Sequence, residues 1–484
     1  MAAFLTSIQG SGQALYFADQ NGDPYQIRWD TVWALLVNAG NSGGATTYQT
    51  DIDNYTAARA GQGFNGFLIT TTATADIGAN ANGSTWDNVA PFTSPGVLNN
   101  SFWTRVDYLL NSAKNQGMTV VINAYFTYAA FESGACLHGW TALQAQNYGT
   151  AVGTRYASQP NVIWEAGDDY NATFTGGPGN FDTVFSSFLT GLRGAGANQV
   201  ISLENQSEGD SRYSDDQTDS YTWGINNASF NWVYSYNASY FSVEESYAEA
   251  GIESVPSLCN VKMDGWYDNQ WGGHTPTESI ELFGRKWLWW VLSSGSRGAM
   301  YGNGDLFEWP TGTVASGILS SAPGSQYIQP GALNTIWNTF ASFTGWHQLI
   351  PDTGNVLVTA GRGTRVTSFG PGSGSFNTTL YVGGNTWVTA SRTPDSGAGS
   401  SLAVIYIPAH TTITINQAKM QAGYTAKWVD PASGATTTTT TGSTYNSTAK
   451  GNNSAGDPDW LLVLQGPAPT SGAPPVLYSM RAIG

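Results

Sequence analysis

The sequence predicts an α/β chain, a (β/α)8 TIM barrel followed by a C-terminal antiparallel β-sandwich. Three observations carry that prediction. Apolar runs of strand length alternate with amphipathic, helix-length segments through the first 300 residues. Eight such runs occur, the number that closes a parallel barrel. Beyond about Trp346 the helical pattern stops, and short strands alternate with Gly, Ser, Thr and Asn turns.

The predicted strands lie near Gln26–Asp30, Gly66–Thr70, Met118–Ala124, Asn161–Ala166, Gln199–Asn205, Asn231–Tyr236, Ser257–Met263 and Gly298–Tyr301. Helices are predicted over Tyr48–Gly61, Phe102–Gln116, Thr141–Ser158, Asn180–Gly194, Tyr240–Ala250 and Glu278–Ser293. Several end at glycine, which accepts the left-handed conformation that closes a helix. The rival is an open doubly wound sheet, but no Gly-rich phosphate loop follows the first strand. In the later region VLVTA, TLYVGG, LAVIYIP, TITI, AKWVDPASG and DWLLVLQG read as sandwich strands. The Thr-rich run Thr436–Gly456 reads as a polar hairpin or loop, and the Pro-containing end reads as an arm. The division expected is a barrel over 1–346, a β-sandwich domain over 347–467 and an extension over 468–484.

Composition narrows the function. Charged residues make up 11% of the chain, against about a quarter in typical soluble proteins. The net charge of −16 argues against nucleic acid and anionic membranes, both polyanions. With 19 Trp and 24 Tyr, a weakly charged surface rich in hydroxyls and amides suits sugars, which offer C–H faces for stacking and hydroxyls for hydrogen bonds. Two cysteines, Cys136 and Cys259, build no disulfide framework, and four scattered histidines make no metal set. No cofactor is expected. No apolar run is long enough to span a bilayer, and the N-terminus lacks the basic and apolar regions of a secretory signal. The expected setting is extracellular or virion-associated.

The stretch Asn161–Asp169 (NVIWEAGDD) is the strongest chemical signal. A buried strand stops at Gly167 with Glu165, Asp168 and Asp169 at its C-terminal end. Carboxylates are costly beside an apolar run unless paired or used, and parallel barrels carry catalysis at the C-terminal ends of their strands. Asp168 competes with a reading as a turn former or helix cap. Asp30, ending the first strand, either binds a substrate hydroxyl or caps the next helix.

Taken in order, the motifs resemble the apiosidase-like glycoside hydrolases, the group around glycoside hydrolase family 140. The matching stretches are Trp29–Leu36, Arg59–Thr70, Val106–Phe126, Tyr148–Asp169, Val255–Asp268 and Arg285–Asn303, then Ala403–Pro408, Trp428–Gly434 and Asp459–Leu464. The resemblance implies a (β/α)8 barrel with a small β-sandwich, a general acid/base after strand four and a nucleophile after strand seven. The family's Gly-Gly-Asp appears as Ala166-Gly167-Asp168, which gives Asp168 the first role. At the second position the family's Glu, two residues and Tyr-Glu appear as Asp264, Gly265, Trp266 and Tyr267-Asp268. A rival match, Val243–Tyr247, keeps Glu244 but falls on the helix predicted after strand six, so Asp264 is preferred over it. The bland reading of Asp264 is an Asp-Gly turn.

Cleaving a glycosidic bond needs an acid at the leaving oxygen and a second carboxylate for the anomeric carbon or for water. Repulsion from Glu165 and Asp169 is expected to keep Asp168 protonated. Substrate contacts are assigned to Asp30, Tyr125, Asp169, Tyr236, Trp266 and Tyr267, with Phe126, Tyr128, Trp140 and Trp309 as further aromatic walls. Packing of loop on barrel is the competing reading for each aromatic. The function expected is hydrolysis of a furanose- or pentose-containing extracellular polysaccharide. The alternative is a catalytically inactive carbohydrate-binding protein, such as a phage tail component for host-wall recognition, in a homo-oligomer or virion.

Overall fold

The computed structural model of the chain describes residues 2–41, 46–78, 80, 82–170, 181–205, 229–234, 238–248, 261–263, 279–302, 304–307, 309, 330–365 and 385–467. Eight parallel strands close into a barrel. In chain order they are Ile27–Thr31, Gly66–Thr70, Thr119–Phe126, Val162–Tyr170, Ile201–Asn205, Phe230–Tyr234, Val261–Met263 and Gly298–Gly302. All eight fall on the runs predicted as strands. The second and third are buried along their whole length, as expected of strands covered on both faces.

The eighth strand pairs with the first, Gly298 against Ile27 through Gly302 against Thr31, which excludes the open sheet. Closure is tight at Gly298, whose φ is +144°. A Cβ there would sit 2.1 Å from the Ile27 carbonyl oxygen, so only glycine fits.

Helices Tyr48–Gly61, Asn100–Asn115, Ala142–Tyr156, Phe181–Gly194, Ser239–Ala248 and Ile280–Ser293 lie on the predicted helical segments. Their starts are chemically marked where the cap is described: Thr47, Asn99 and Ser279 accept from the first-turn amides, and Thr141 with Gln144 forms a capping box. Helices 142–156 and 181–194 touch backbone to backbone. A Cβ on Gly149 would lie 2.0 Å from the Phe188 carbonyl oxygen, and one on Gly191 would lie 2.0 Å from that of Gln146.

Among the elements not predicted, three help to build the frame. An antiparallel hairpin, Leu5–Gln9 with Tyr16–Asp19, covers the N-terminal end of the barrel, where Phe17 meets Phe230 edge-on at 5.1 Å. A helix, Pro330–Ala341, packs Leu333, Ile336, Trp337 and Phe340 into the core. A strand, Thr389–Arg392, runs beside Leu402–Ile407.

The C-terminal region holds two antiparallel sheets, of six and three strands. Thr436–Thr439, from the Thr-rich run, forms the exposed edge of the larger sheet. Strand Leu402–Ile407 is buried on both faces. Ala403, Ile405 and Ile407 join the core between the two sheets, whereas Leu402, Val404 and Tyr406 join the barrel core. The alternation of a strand thus divides one segment between two packing partners.

Helix Ile280–Ser293 supplies the barrel side of that junction. Trp289 stacks on Tyr406 and donates to the Pro431 carbonyl at 3.1 Å, while Trp290 donates to that of Trp387 at 2.9 Å. Arg285 pairs with Asp457 at 2.7 Å and Asp459 at 2.8 Å. Asp459 is fully buried and also accepts from Tyr406 and Asn453. Arg285 and Arg155, the latter paired with Asp107, are the structural ion-pair partners their positions imply.

Arg297 joins three parts of the chain. Its guanidinium has no exposed surface and donates to the carbonyls of Leu15 at 2.6 Å, Gly295 at 2.7 Å and Leu349 at 2.5 Å. These belong to the hairpin, the turn before the eighth strand and the entry to the C-terminal sheets.

Replacing Arg285 with Met leaves the Asp459 carboxylate buried without its countercharge. The expected loss is about 3–5 kcal/mol of unfolding free energy, read from chemical denaturation. A loss under about 1 kcal/mol contradicts the role assigned to the pair.

Candidate active site

The site is built from the end of the fourth strand. Val162, Ile163 and Trp164 are buried, and the Trp164 indole faces outward, donating to Gln199 at 3.1 Å. Strand alternation then turns Glu165 into the barrel. Beyond Glu165 the pairing slips on both sides. Against strand three the register jumps between Asn123 and Tyr125. Against strand five, Gly167 faces Glu204 and Tyr170 faces Asn205, so Asp168 and Asp169 have no partner residue between them. This is a bulge at the C-terminal rim of a barrel, a device that re-aims side chains near active sites.

Gly167 makes the bulge feasible. Its φ is +110°, and a Cβ would stand 2.3 Å from the Glu204 carbonyl oxygen. For residues 168–170 the backbone is described, and it puts Asp168 and Asp169 side by side at this rim.

Beneath the bulge lies a polar cluster in the barrel interior. Asn123 donates through Nδ2 to Glu165 Oε1 at 3.1 Å. Ser202, Glu204 and Trp232 surround the Glu165 carboxyl in the same cluster. Trp29 and Trp232 wall the interior, with ring centroids 6.0 Å apart. Burial pushes the Glu165 carboxyl from its usual 4.5 up to about 8, against the opposing effect of its hydrogen bonds. Near neutrality Glu165 therefore carries its proton. A neutral Glu165 exerts no charge repulsion on Asp168, contrary to the expectation from their closeness in sequence.

Asp30 has no exposed surface, and its oxygens are engaged by the protein itself. Arg59 Nε donates to it at 2.6 Å, the Tyr55 hydroxyl at 2.9 Å and the Thr31 amide at 3.0 Å. Burial raises its pKa, and the Arg59 charge opposes that rise. Asp30 is an internal anchor between the first strand and helix 48–61 rather than a group presented to solvent. On the same helix Tyr55 packs edge-on against Trp309 at 5.6 Å. Trp309 holds a left-handed φ of +49°, rare for a bulky residue.

The remaining candidates divide. Tyr125 is buried against Phe185 and Phe188, Phe126 against Trp33, and Trp140 against Phe92 and Tyr148. Here packing prevails over exposure. Tyr236, Asp264, Trp266 and Tyr267 lie outside the described residues. The rival Glu244 does sit on the helix after strand six, where it binds Arg365 Nε at 3.0 Å. Tyr247 of the same motif donates to the Gly295 carbonyl, at the end of the barrel opposite the bulge. Outside these candidates, Trp86 is the one large aromatic exposed among the described residues, 40% exposed in a loop after the second strand. Its signal was a lone Trp inside a run of turn formers, Gly83-Ser84-Thr85-Trp86-Asp87-Asn88.

Comparison with known proteins agrees with this arrangement. A family model described as "Apiosidase-like, catalytic domain" matches residues 11–353, well over half of the chain. A second model, for a collagen-binding-like domain of a collagenase, matches residues 384–465. Among solved structures, one titled "Glycoside hydrolase" is similar at 16% identity and TM-score 0.69, covering 96% of this chain and 97% of its own. A glycoside hydrolase family 5 structure from Bacteroides vulgatus ATCC 8482 is similar at 16% identity and TM-score 0.68, covering 95% and 93%. At that identity the likeness is one of fold. Comparison with curated proteins returned no match.

The folded chain keeps the Glu165 proton up to about pH 8, whereas an unfolded glutamate releases it near 4.5. The stabilisation tied to that proton is complete below about 4.5 and fades as pH rises through about 8. Glu165→Gln, a permanently neutral isostere, should remove this part of the dependence. Thermal melts at about pH 5, 7 and 9 should fall more steeply for wild type than for the variant. Parallel curves contradict the assignment.

Proposed function

The chain belongs to the apiosidase-like family and is a glycoside hydrolase, and we propose that it cleaves a furanose- or pentose-containing polysaccharide outside the cell, with Asp168 and Asp264 as its working carboxylates. The observation that carries this reading is the bulge after Gly167, which puts Asp168 and Asp169 at the rim where barrel enzymes work. In this reading Asp168 protonates the leaving oxygen, with the Asp169 charge beside it favouring retention of its proton. Asp264, after the seventh strand, faces the anomeric carbon or an attacking water. Tyr236, Trp266 and Tyr267 then line the sugar's path from the sixth and seventh strands.

Aspartate in place of glutamate at position 264 withdraws the carboxyl by roughly one C–C bond, about 1.5 Å. Retaining enzymes hold their carboxyls about 5–5.5 Å apart and inverting ones about 6.5–9.5 Å, so the shorter side chain favours room for water and inversion. The same shortening supports a second reading, a carbohydrate binder on this fold that has lost cleavage. Either suits a tail component that recognises a host wall, which detection of the chain in purified particles tests.

Cleavage is assayed on arabinose-, apiose- and galactose-containing polysaccharides. Asp168→Asn and Asp264→Asn are each expected to lower kcat by about 100-fold or more, with the fold intact by circular dichroism. The anomer of the first product then distinguishes inversion from retention. Glycan binding without cleavage by wild type supports the binder. Full activity of Asp168→Asn overturns the role given to the bulge.

A further inference from the structure

The loop between the second strand and helix Asn100–Asn115 opens on the same rim as the bulge, and within it residues 85–89 form a tight turn. The Thr85 amide donates to the Val89 carbonyl at 3.0 Å, and the Asn88 amide to that of Thr85 at 2.8 Å. The buried Thr85 hydroxyl donates to Asp87 at 2.6 Å, and Asn88 takes a left-handed φ of +63°. Trp86 is thereby fixed at the turn. Its amide donates to the Val37 carbonyl at 2.9 Å and its indole Nε1 to that of Ala39 at 2.8 Å. Both acceptors belong to the segment that follows the first strand, so the ring bridges two adjacent loops of the catalytic face.

Trp86 is 40% exposed. Gly40 holds φ +87°, and a Cβ there would approach Trp86 Nε1 to 3.2 Å and the Tyr48 amide to 2.9 Å. Glycine thus lets the loop come close under the ring edge. Next in sequence, the Asp87 side chain is 36% exposed and pairs with Arg105 at 2.6 Å, and the Arg105 guanidinium lies 4.7 Å from the Tyr48 ring centre. Each carboxylate oxygen retains acceptor capacity for a hydroxyl beyond its present bond. Among the described residues the other large exposed apolar side chains are aliphatic, Val97 and Leu143.

We propose that Trp86, with Asp87 at its edge, is a remote sugar subsite: the indole stacks on the C–H face of a glycosyl unit away from the cleaved bond while Asp87 accepts from its hydroxyls. This rests on the glycoside hydrolase reading of the barrel. A ring anchored at both backbone and Nε1 loses little freedom on binding, so its exposed surface is preorganised for a flat apolar partner. The Asp87 carboxylate makes that partner a hydroxylated, uncharged ring rather than an anionic one. Such a subsite raises affinity for long chains and leaves short substrates unaffected.

The test compares wild type with Trp86→Ala and the ring-preserving Trp86→Tyr. The probes are arabinan and arabinogalactan as polymers, and p-nitrophenyl arabinofuranoside as the short substrate. Trp86→Ala should raise KM for the cleaved polymer about tenfold. It should leave kcat/KM on the short substrate within about twofold of wild type, and Trp86→Tyr should recover much of the polymer KM. Retardation in native gels containing each polymer gives a readout without turnover, and Trp86→Ala should lose it. Equal polymer KM in wild type and Trp86→Ala overturns the subsite while the hydrolase reading stands. Equal losses on polymer and short substrate also overturn it. Trp86-dependent retardation without any cleavage supports the subsite and counts against the proposed substrates. No retardation of wild type by either polymer, together with no cleavage, overturns both.

Discussion

Distant parts of the chain meet at one of its buried cations. Arg297 is fully enclosed, and the donors assigned to it end on main-chain carbonyls of the N-terminal hairpin, the turn before strand eight and the entry to the C-terminal sheets. A buried charge is tolerable only when its surroundings replace water, and here aligned peptide dipoles do so. The arrangement works only if three segments far apart in sequence arrive together. It also charges its neighbourhood: burial, with Arg297 adding to it, pushes the His347 imidazole down to about 4, so that ring stays neutral beside it. Immediately after Arg297 comes Gly298, the residue that lets the barrel close on Ile27. Closure of the barrel and docking of what precedes and follows it are therefore one event in this fold.

The catalytic rim inherits its geometry from that closure. A barrel interior walled by Trp29 and Trp232 is a poor medium for charge, and burial there raises the Glu165 pKa so that the carboxyl keeps its proton near neutrality. The polar interior below and the bulge above meet at Gly167, where the main chain presses against the Glu204 carbonyl. A neutral floor with aspartates at its rim differs in kind from three like charges crowded at one strand end.

Much of this was legible in the sequence, for identifiable reasons. The eight barrel strands are apolar runs bounded by polar or glycine-rich breaks, and the six helices carry an apolar face with Ser, Thr or Asn at several of their starts. Periodicity reports burial, and burial is what these elements share. The hairpin Leu5–Gln9 and Tyr16–Asp19 was missed because its strands are short and the first is largely half-exposed. Helix Pro330–Ala341 was missed because its opening Pro-Gly reads as a turn, although proline is acceptable in a first helical turn. At the site, the strand-four motif located the rim, but no local pattern reveals that Asp30 is claimed by Arg59 and Tyr55, 29 and 25 residues away. Tyr125 lies in the core because the third strand runs on through it to Phe126, and Trp140 because a loop aromatic next to a barrel gains more from packing than from display. Trp86 escaped notice because an isolated Trp among turn formers has no periodicity to report.

The strand Leu402–Ile407, buried on one face in the sandwich core and on the other in the barrel core, has a consequence for modularity. The C-terminal sheets are not a tethered appendage that swings on a linker. Whatever surface they present to the surroundings is held at a constant bearing to the catalytic rim, so reach and angle are set by architecture and not by diffusion. Recombination among relatives at the apparent boundary near residue 346 would transplant half of an interface. A viable chimera has to carry helix Ile280–Ser293 along with the sheet that it seats.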